Sequence, residues 1–213
     1  MRTLLIAQST QPLLDEQRDL ASAVEAVLFA SPVRLEELHH RSPGAYVLLY
    51  VGDVECYARL RRPGGRNDRR PIASAGGAPI YIGSARDLGE RRNRHVANLA
   101  GCVDISPADL LIIALPTATK AGGVYLETAL IDSVFHPIWN TPVLSGFGSR
   151  RQGRSREQHQ RVSTWNLLHP GRHVHAQAPR PDIDLNDLRT KVRHHIAATV
   201  TDPFTISAPA AQD

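Results

Sequence analysis

The apolar positions of the chain divide it into alternating helical and extended segments. Between residues 12 and 30, Leu13, Leu20, Val24, Val27 and Leu28 recur among charges, the spacing of an amphipathic helix. Pro32 and then Ser42-Pro43-Gly44 interrupt the pattern. The run Ala45-Tyr46-Val47-Leu48-Leu49-Tyr50-Val51 is apolar without a break, which predicts a buried strand. Pro79-Ile80-Tyr81-Ile82-Gly83 predicts a second short strand, Leu88 to Leu99 a helix with a largely basic surface, and Leu110-Leu111-Ile112-Ile113-Ala114 a third strand. Gly122-Gly123 precedes a further helix from Val124 to about Phe135, which stops at His136-Pro137 because proline cannot continue it. A short element surrounds Trp165, and Leu185, Leu188, Val192 and Ile196 mark a helix from about Asp184 to Ala198. The order helix, strand, strand, helix, strand, helix predicts an α+β core, an α/β-type sandwich of a three-stranded sheet flanked by helices. There is no internal repeat.

A length of 213 residues allows one sizeable core and a small appendage, and 42% hydrophobic with 22% charged residues is ordinary for a globular domain. Charge distribution changes the picture more than its sum. The net charge of +4 is compatible with a polyanionic partner without demanding one. Lysine is scarce, and the arginines cluster. Arg59, Arg61, Arg62, Arg66, Arg69 and Arg70 lie in or beside a glycine- and proline-rich stretch from Gly64 to Gly77 that reads as an exposed loop; Arg150, Arg151, Arg154, Arg156 and Arg161 form a second group. A guanidinium fork suits phosphate and the major-groove edge of guanine, although either cluster also fits a solvated loop. Cys56 and Cys102 form no CxxC pair and no disulfide framework. The N-terminus turns polar at Gln8, too early for a signal-peptide core, and no apolar run approaches a membrane span. These features lead us to expect a cytoplasmic protein with reduced thiols.

Three residues have chemistry of their own. Glu127 falls on the predicted helical face that carries Val124, Ile131 and Val134, where a carboxylate costs stability unless it is paired, hydrogen-bonded or bound to a cation. Taken alone, a stripe-edge glutamate reaching solvent or pairing with an arginine is the simpler reading, and a metal role needs other support. Arg91 and His95 are four residues apart on a predicted helix and share a face. Arginine can stabilise charge on a phosphoryl transition state, and histidine can accept a proton near neutrality. His39-His40 and His194-His195 lack ligand-like context and are expected at the solvated surface.

Taken together, Gly44-Ala45-Tyr46, Tyr81-Ile82-Gly83, Arg91 with His95, Glu127, and Asn140 after Pro137-Ile138-Trp139 resemble the ordered motifs of the GIY-YIG nuclease superfamily. Two features depart from the usual pattern: Ala45 stands where isoleucine is usual, and a long arginine-rich insertion separates the tyrosines. The insertion resembles that of a subgroup of type II restriction endonucleases cutting the palindrome CCGCGG. That likeness continues through Gly146-Phe147-Gly148 and Trp165…His169-Pro170-Gly171-Arg172. The resemblance implies a helical segment over 1–43, a nuclease core over 44–140 with the insertion at about 57–78, a DNA-binding extension over 141–200 and a tail over 201–213.

It also implies roles. Glu127 would hold a single Mg²⁺, for which Mn²⁺ can substitute, and Arg91 would neutralise phosphoryl charge. Tyr46 would orient or deprotonate the attacking water with His95 close enough to share the proton, so both stand as candidates for the base. Tyr81 would contact the phosphate or complete that network, and Asn140 would brace the site. The partners implied are double-stranded DNA, a second copy of the chain on a two-fold symmetric site, and a cognate DNA methyltransferase in the same restriction-modification system. The first helix is a candidate contributor to the dimer contact. A repair or homing-type nicking enzyme and a non-catalytic DNA-binding module with a degenerate site are the alternatives.

Overall fold

In a computed structural model the chain is described at residues 20–148, 162–171 and 180–200. Strand β2, Gly44–Tyr50, is buried along its whole length, as its unbroken apolar run requires. It pairs antiparallel with β3, Pro79–Ala85, on one side and with β4, Leu110–Pro116, on the other. A two-residue strand β1, Val33–Arg34, adds to the far edge of β4, giving a four-stranded sheet in the order β1-β4-β2-β3. The sheet therefore has four strands where three were expected, because two residues are too few to display an alternation. The α+β class holds.

Alternation along β2 sends its residues into two cores. Tyr46, Leu48 and Tyr50 point into one with Leu110 and Ile112; Ala45, Val47 and Leu49 point into the other with Leu111, Ile113 and Leu115. The second core is covered by α1, Leu20–Phe29, and α4, Lys120–Leu130. Residues 12–19 of the first predicted helix lie outside the described residues. The first core is covered by α3, Leu88–Leu99, and by the later helices α5, Thr164–Leu168, and α6, Leu185–Thr199. Leu188, Val192 and Ile196 of α6 are buried as the spacing predicts, whereas Leu185 at its first turn is exposed. No helix among the described residues is long and apolar enough to cross a membrane.

Helix α4 starts four residues earlier than its apolar pattern suggests. Thr119 caps it by accepting a hydrogen bond from the Gly122 N–H at 3.1 Å, so Gly122 and Gly123 lie inside the helix. The reason is a close approach: a Cβ on Gly123 would stand 2.7 Å from the carbonyl carbon of Gly44 in β2. The buried stripe is therefore Gly122, Gly123, Leu126 and Leu130, and Val124 faces outward. This corrects the predicted stripe and leaves Glu127 half-buried at its edge. A π-helical turn, Ile131–Phe135, follows, and His136 ends it with a left-handed φ of 42° before Pro137.

The insertion is not an open loop. Turns at Glu55–Leu60 and Gly65–Asn67 and the one-turn helix α2, Ile72–Ala75, bury Cys56, Tyr57, Leu60 and Ile72. At its centre lies Arg62, 1% exposed. Its guanidinium donates to the carbonyls of Arg70 at 2.6 Å and Gly76 at 3.2 Å and lies 3.6 Å from the Asp68 carboxylate. A buried guanidinium held by two carbonyls and a carboxylate is a structural strut, because a buried charge costs stability unless it is paired and hydrogen-bonded.

A second polar chain ties distant segments together. The Trp139 indole N–H donates to the Tyr57 hydroxyl at 2.9 Å, and that hydroxyl lies 2.7 Å from Nε2 of fully buried His169. Nδ1 of His169 lies 3.0 Å from the Asp104 carboxylate. Burial pushes the Tyr57 phenol well above its ordinary pKa, so it stays a neutral partner in this chain.

Candidate active site

The site gathers around β3, the open edge of the sheet, with tyrosines on one face and Glu127 on the other. Tyr46 pairs with Gly83 across β2 and β3, and its ring lies over that glycine. Any Cβ at Gly83 would overlap the Tyr46 hydroxyl, so the glycine of the second tyrosine motif is what lets the first tyrosine lie down. Tyr81 pairs with Leu48, next to an irregularity in register between Leu48 and Leu49 that sends both Ile80 and Tyr81 into the tyrosine-side core. The two tyrosine rings lie 6.0 Å apart.

Helix α3 begins with Asp87, whose carboxylate accepts from the Glu90 N–H at 2.8 Å. One turn further, Arg91 reaches back over the edge of β3, its guanidinium 3.4 Å from the Ser84 carbonyl. His95, 1% exposed, turns inward and sets Nε2 at 2.6 Å from the Tyr46 hydroxyl. Its ring stacks on Phe147 with centroids 4.7 Å apart and planes within 3°. Phe147 also meets the Tyr81 ring edge-on at 5.0 Å, so the segment after Asn140 walls the site.

Both phenols are held neutral. Burial, then the neighbouring Tyr81, pushes Tyr46 well above its ordinary pKa; burial also raises Tyr81. Arg91 opposes both shifts and Glu127 reinforces both, so the guanidinium and the carboxylate act on the same pair of hydroxyls with opposite sign. A neutral Tyr46 bonded to an imidazole can pass on its proton when Nε2 is the unprotonated ring nitrogen.

Asn140 pairs with the backbone of Ile82, its amide oxygen accepting from the Ile82 N–H and its amide nitrogen donating to the Ile82 carbonyl, both at 2.8 Å. One side chain thus satisfies the outward pair of groups that an edge strand leaves open, and holds β3 in place beside Tyr81. Ser84, absent from the expected set, donates its hydroxyl to Oε2 of Glu127. Its signal in the sequence was parity: it is the strand residue directly after Tyr81-Ile82-Gly83, on the face opposite the tyrosines.

The arginines divide into groups. Arg62 is enclosed and presents nothing to a ligand, which corrects its expected place among DNA contacts. Arg61 pairs with Asp53, Arg66 with Asp109, Arg69 with Glu37 and Arg70 with Asp68, all with partly exposed side chains. Among the described residues Arg59 makes no ion pair. Arg150, Arg151, Arg154, Arg156 and Arg161 lie outside the described residues, as does Arg172. Of the histidines expected at the surface, His39 and His194 are exposed, while His195 lies 3.0 Å from the His136 carbonyl.

Asp68 makes the insertion acid-sensitive. Hydrogen bonds from the Arg70 guanidinium and N–H, with the charge of Arg62, lower its pKa from 3.8 to about 2. A carboxyl whose folded pKa lies below its unfolded value stabilises the fold above the unfolded value and loses that contribution as pH falls through the folded one. Acid titration should therefore loosen the insertion between about pH 4 and pH 2. Asp68→Asn should abolish that step in the tertiary circular-dichroism signal; identical profiles for both proteins would refute the assignment.

No match appears among curated proteins. A family model described as the Eco29kI GIY-YIG domain matches residues 39–196, a span that runs from the residues before β2 through α6 and takes in the tyrosines, Arg91, His95, Glu127 and Asn140. On the strength of that match the chain belongs to the Eco29kI GIY-YIG domain family, a restriction-type branch of the GIY-YIG nucleases.

Proposed function

We propose that the protein is a type II restriction endonuclease that hydrolyses double-stranded DNA at the GC-rich palindrome CCGCGG, acting as a homodimer with one Mg²⁺ per site. The observation that carries the reading is the Tyr46–His95 hydrogen bond of 2.6 Å, buried beside Arg91 and Glu127 at one strand edge. In this reading Tyr46, held neutral by burial, and His95 act together as the base. Tyr46 takes a proton from the attacking water at its hydroxyl oxygen as it gives its own to Nε2 of His95. Arg91 sets its guanidinium against the phosphoryl oxygens, where charge grows in the transition state. Tyr81 fixes the Tyr46 ring from the side.

Glu127 would hold the Mg²⁺. Among the described residues no three His, Cys, Asp or Glu side chains form a metal cage. A single half-exposed carboxylate beside a serine hydroxyl is nonetheless a fitting donor set for a hard cation that keeps its waters and takes phosphate oxygens. The ion supplies Lewis-acid stabilisation of the phosphoryl group and of the leaving 3′ oxygen. The solvent-facing Arg59, Arg61, Arg66 and Arg70 of the insertion, with the half-exposed Arg69, are the candidates for DNA contact, each able to exchange an intramolecular carboxylate for phosphate or a guanine edge where it now has one.

The test is direct. Purified protein with Mg²⁺ should convert a plasmid carrying one CCGCGG into a single linear product. Nicks scattered over the plasmid would move the reading to a repair-type enzyme. Binding without cleavage under Mg²⁺ and Mn²⁺ would reduce the protein to a DNA-binding module.

A further inference from the structure

We propose that Ser84 is a positioning residue that presets the cation-holding carboxylate: its hydroxyl fixes Glu127 and its carbonyl fixes Arg91, so that both charged groups face the scissile phosphate from one strand position. The inference rests on the nuclease reading above. Two contacts on opposite sides of the sheet edge carry it. The Ser84 hydroxyl donates to Oε2 of Glu127 from α4, and the Ser84 carbonyl accepts from the Arg91 guanidinium of α3 at 3.4 Å. Among the described residues the Ser84 hydroxyl is the one hydrogen-bond donor to Glu127, and it takes Oε2 and not Oε1.

The physical need is clear. A glutamate has three side-chain torsions, and a half-exposed one samples several rotamers whose loss would otherwise accompany cation binding. A donor on one oxygen removes that freedom in advance and leaves the other oxygen for the ion. Partners that orient metal-holding groups typically change metal affinity by about 10- to 100-fold when removed. The backbone contact to Arg91 does not depend on the side chain, which makes the hydroxyl separable by substitution.

The expected result is that Ser84→Ala binds Mn²⁺ about tenfold more weakly in calorimetry of the protein without DNA. The Mg²⁺ concentration for half-maximal cleavage should rise by a similar factor, with the rate at saturating Mg²⁺ falling far less. Ser84→Thr, which keeps the hydroxyl, should restore both values. Ser84→Cys keeps nearly the same shape with a poor donor and should resemble the alanine variant, which covers the case in which alanine prevents folding. Wild-type Mn²⁺ affinity in folded Ser84→Ala or Ser84→Cys overturns the proposal while leaving the nuclease reading intact. If instead the wild type binds Mn²⁺ no better than Glu127→Ala and cuts nothing, the nuclease reading fails and this proposal falls with it.

Discussion

Glu127→Ala should abolish DNA cleavage, lowering the rate on the order of a thousandfold or more, because a cation's stabilisation of the transition state amounts to several kcal/mol and each 1.4 kcal/mol is about a factor of ten. DNA binding should survive and even tighten, since the substitution removes a negative charge from a site that receives phosphate. A smaller effect runs the other way. Glu127 raises both phenols, so its loss eases proton release from Tyr46, but it stands last among the influences on that residue, behind burial, Tyr81 and Arg91. Loss of the cation should dominate. Single-turnover cleavage and a gel-shift titration measure the two halves separately. Cleavage within tenfold of wild type would remove Glu127 from the chemistry.

Gly123→Ala should both destabilise the protein and impair it, against the helix propensity of alanine. Alanine gains about 1 kcal/mol over glycine inside a helix. Here the new methyl would meet the backbone of Gly44, at 2.7 Å from its carbonyl carbon and 2.8 Å from its carbonyl oxygen. Neither is a side chain that can swing away, so α4 must lift from β2, and overpacking of that kind costs about 1–3 kcal/mol. The two together leave a net loss of up to about 2 kcal/mol, a melting point lower by up to about 8 °C for a domain of this size. Glu127 lies one turn further along the same helix and would move with it. Misplacement by about 1 Å costs on the order of a hundredfold in rate. Cleavage at a temperature where the variant is fully folded should fall by up to that factor. A variant more stable than wild type would show that the contact is not tight.

Those expectations depend on contacts that the sequence alone displays unevenly. The strand at Ala45–Val51 is legible because it is buried on both faces and reads as one apolar run. Helix α3 is legible because its cap, its length and the spacing of Arg91 and His95 are all local. Gly122-Gly123 does not announce a place inside the helix, since the reason for a glycine there lies across the fold at Gly44. Val33–Arg34 is too short for any periodicity. In the insertion, polar composition outweighed the apolar signals of Cys56, Tyr57, Leu60 and Ile72, and nothing local to Arg62 announces that it is enclosed. Glu127, Arg91 and His95 are legible from their own chemistry and spacing, Tyr46, Tyr81 and Asn140 mainly through resemblance. Ser84, whose partner sits on another helix, was not among them.

The chain from Asp104 through His169 and Tyr57 to Trp139 has a consequence for modularity. It stitches the insertion, the loop after α3, the approach to Asn140 and the segment after α5 into one buried assembly, in which Trp165 and Phe147 share a core with Tyr46 and Tyr81. A cutting unit ending near Asn140 would expose the ring stacked on His95 and leave the Tyr57 hydroxyl without its imidazole. This nuclease cannot be trimmed to a cassette and grafted onto a foreign DNA-binding domain. Re-targeting it has to proceed within the intact assembly.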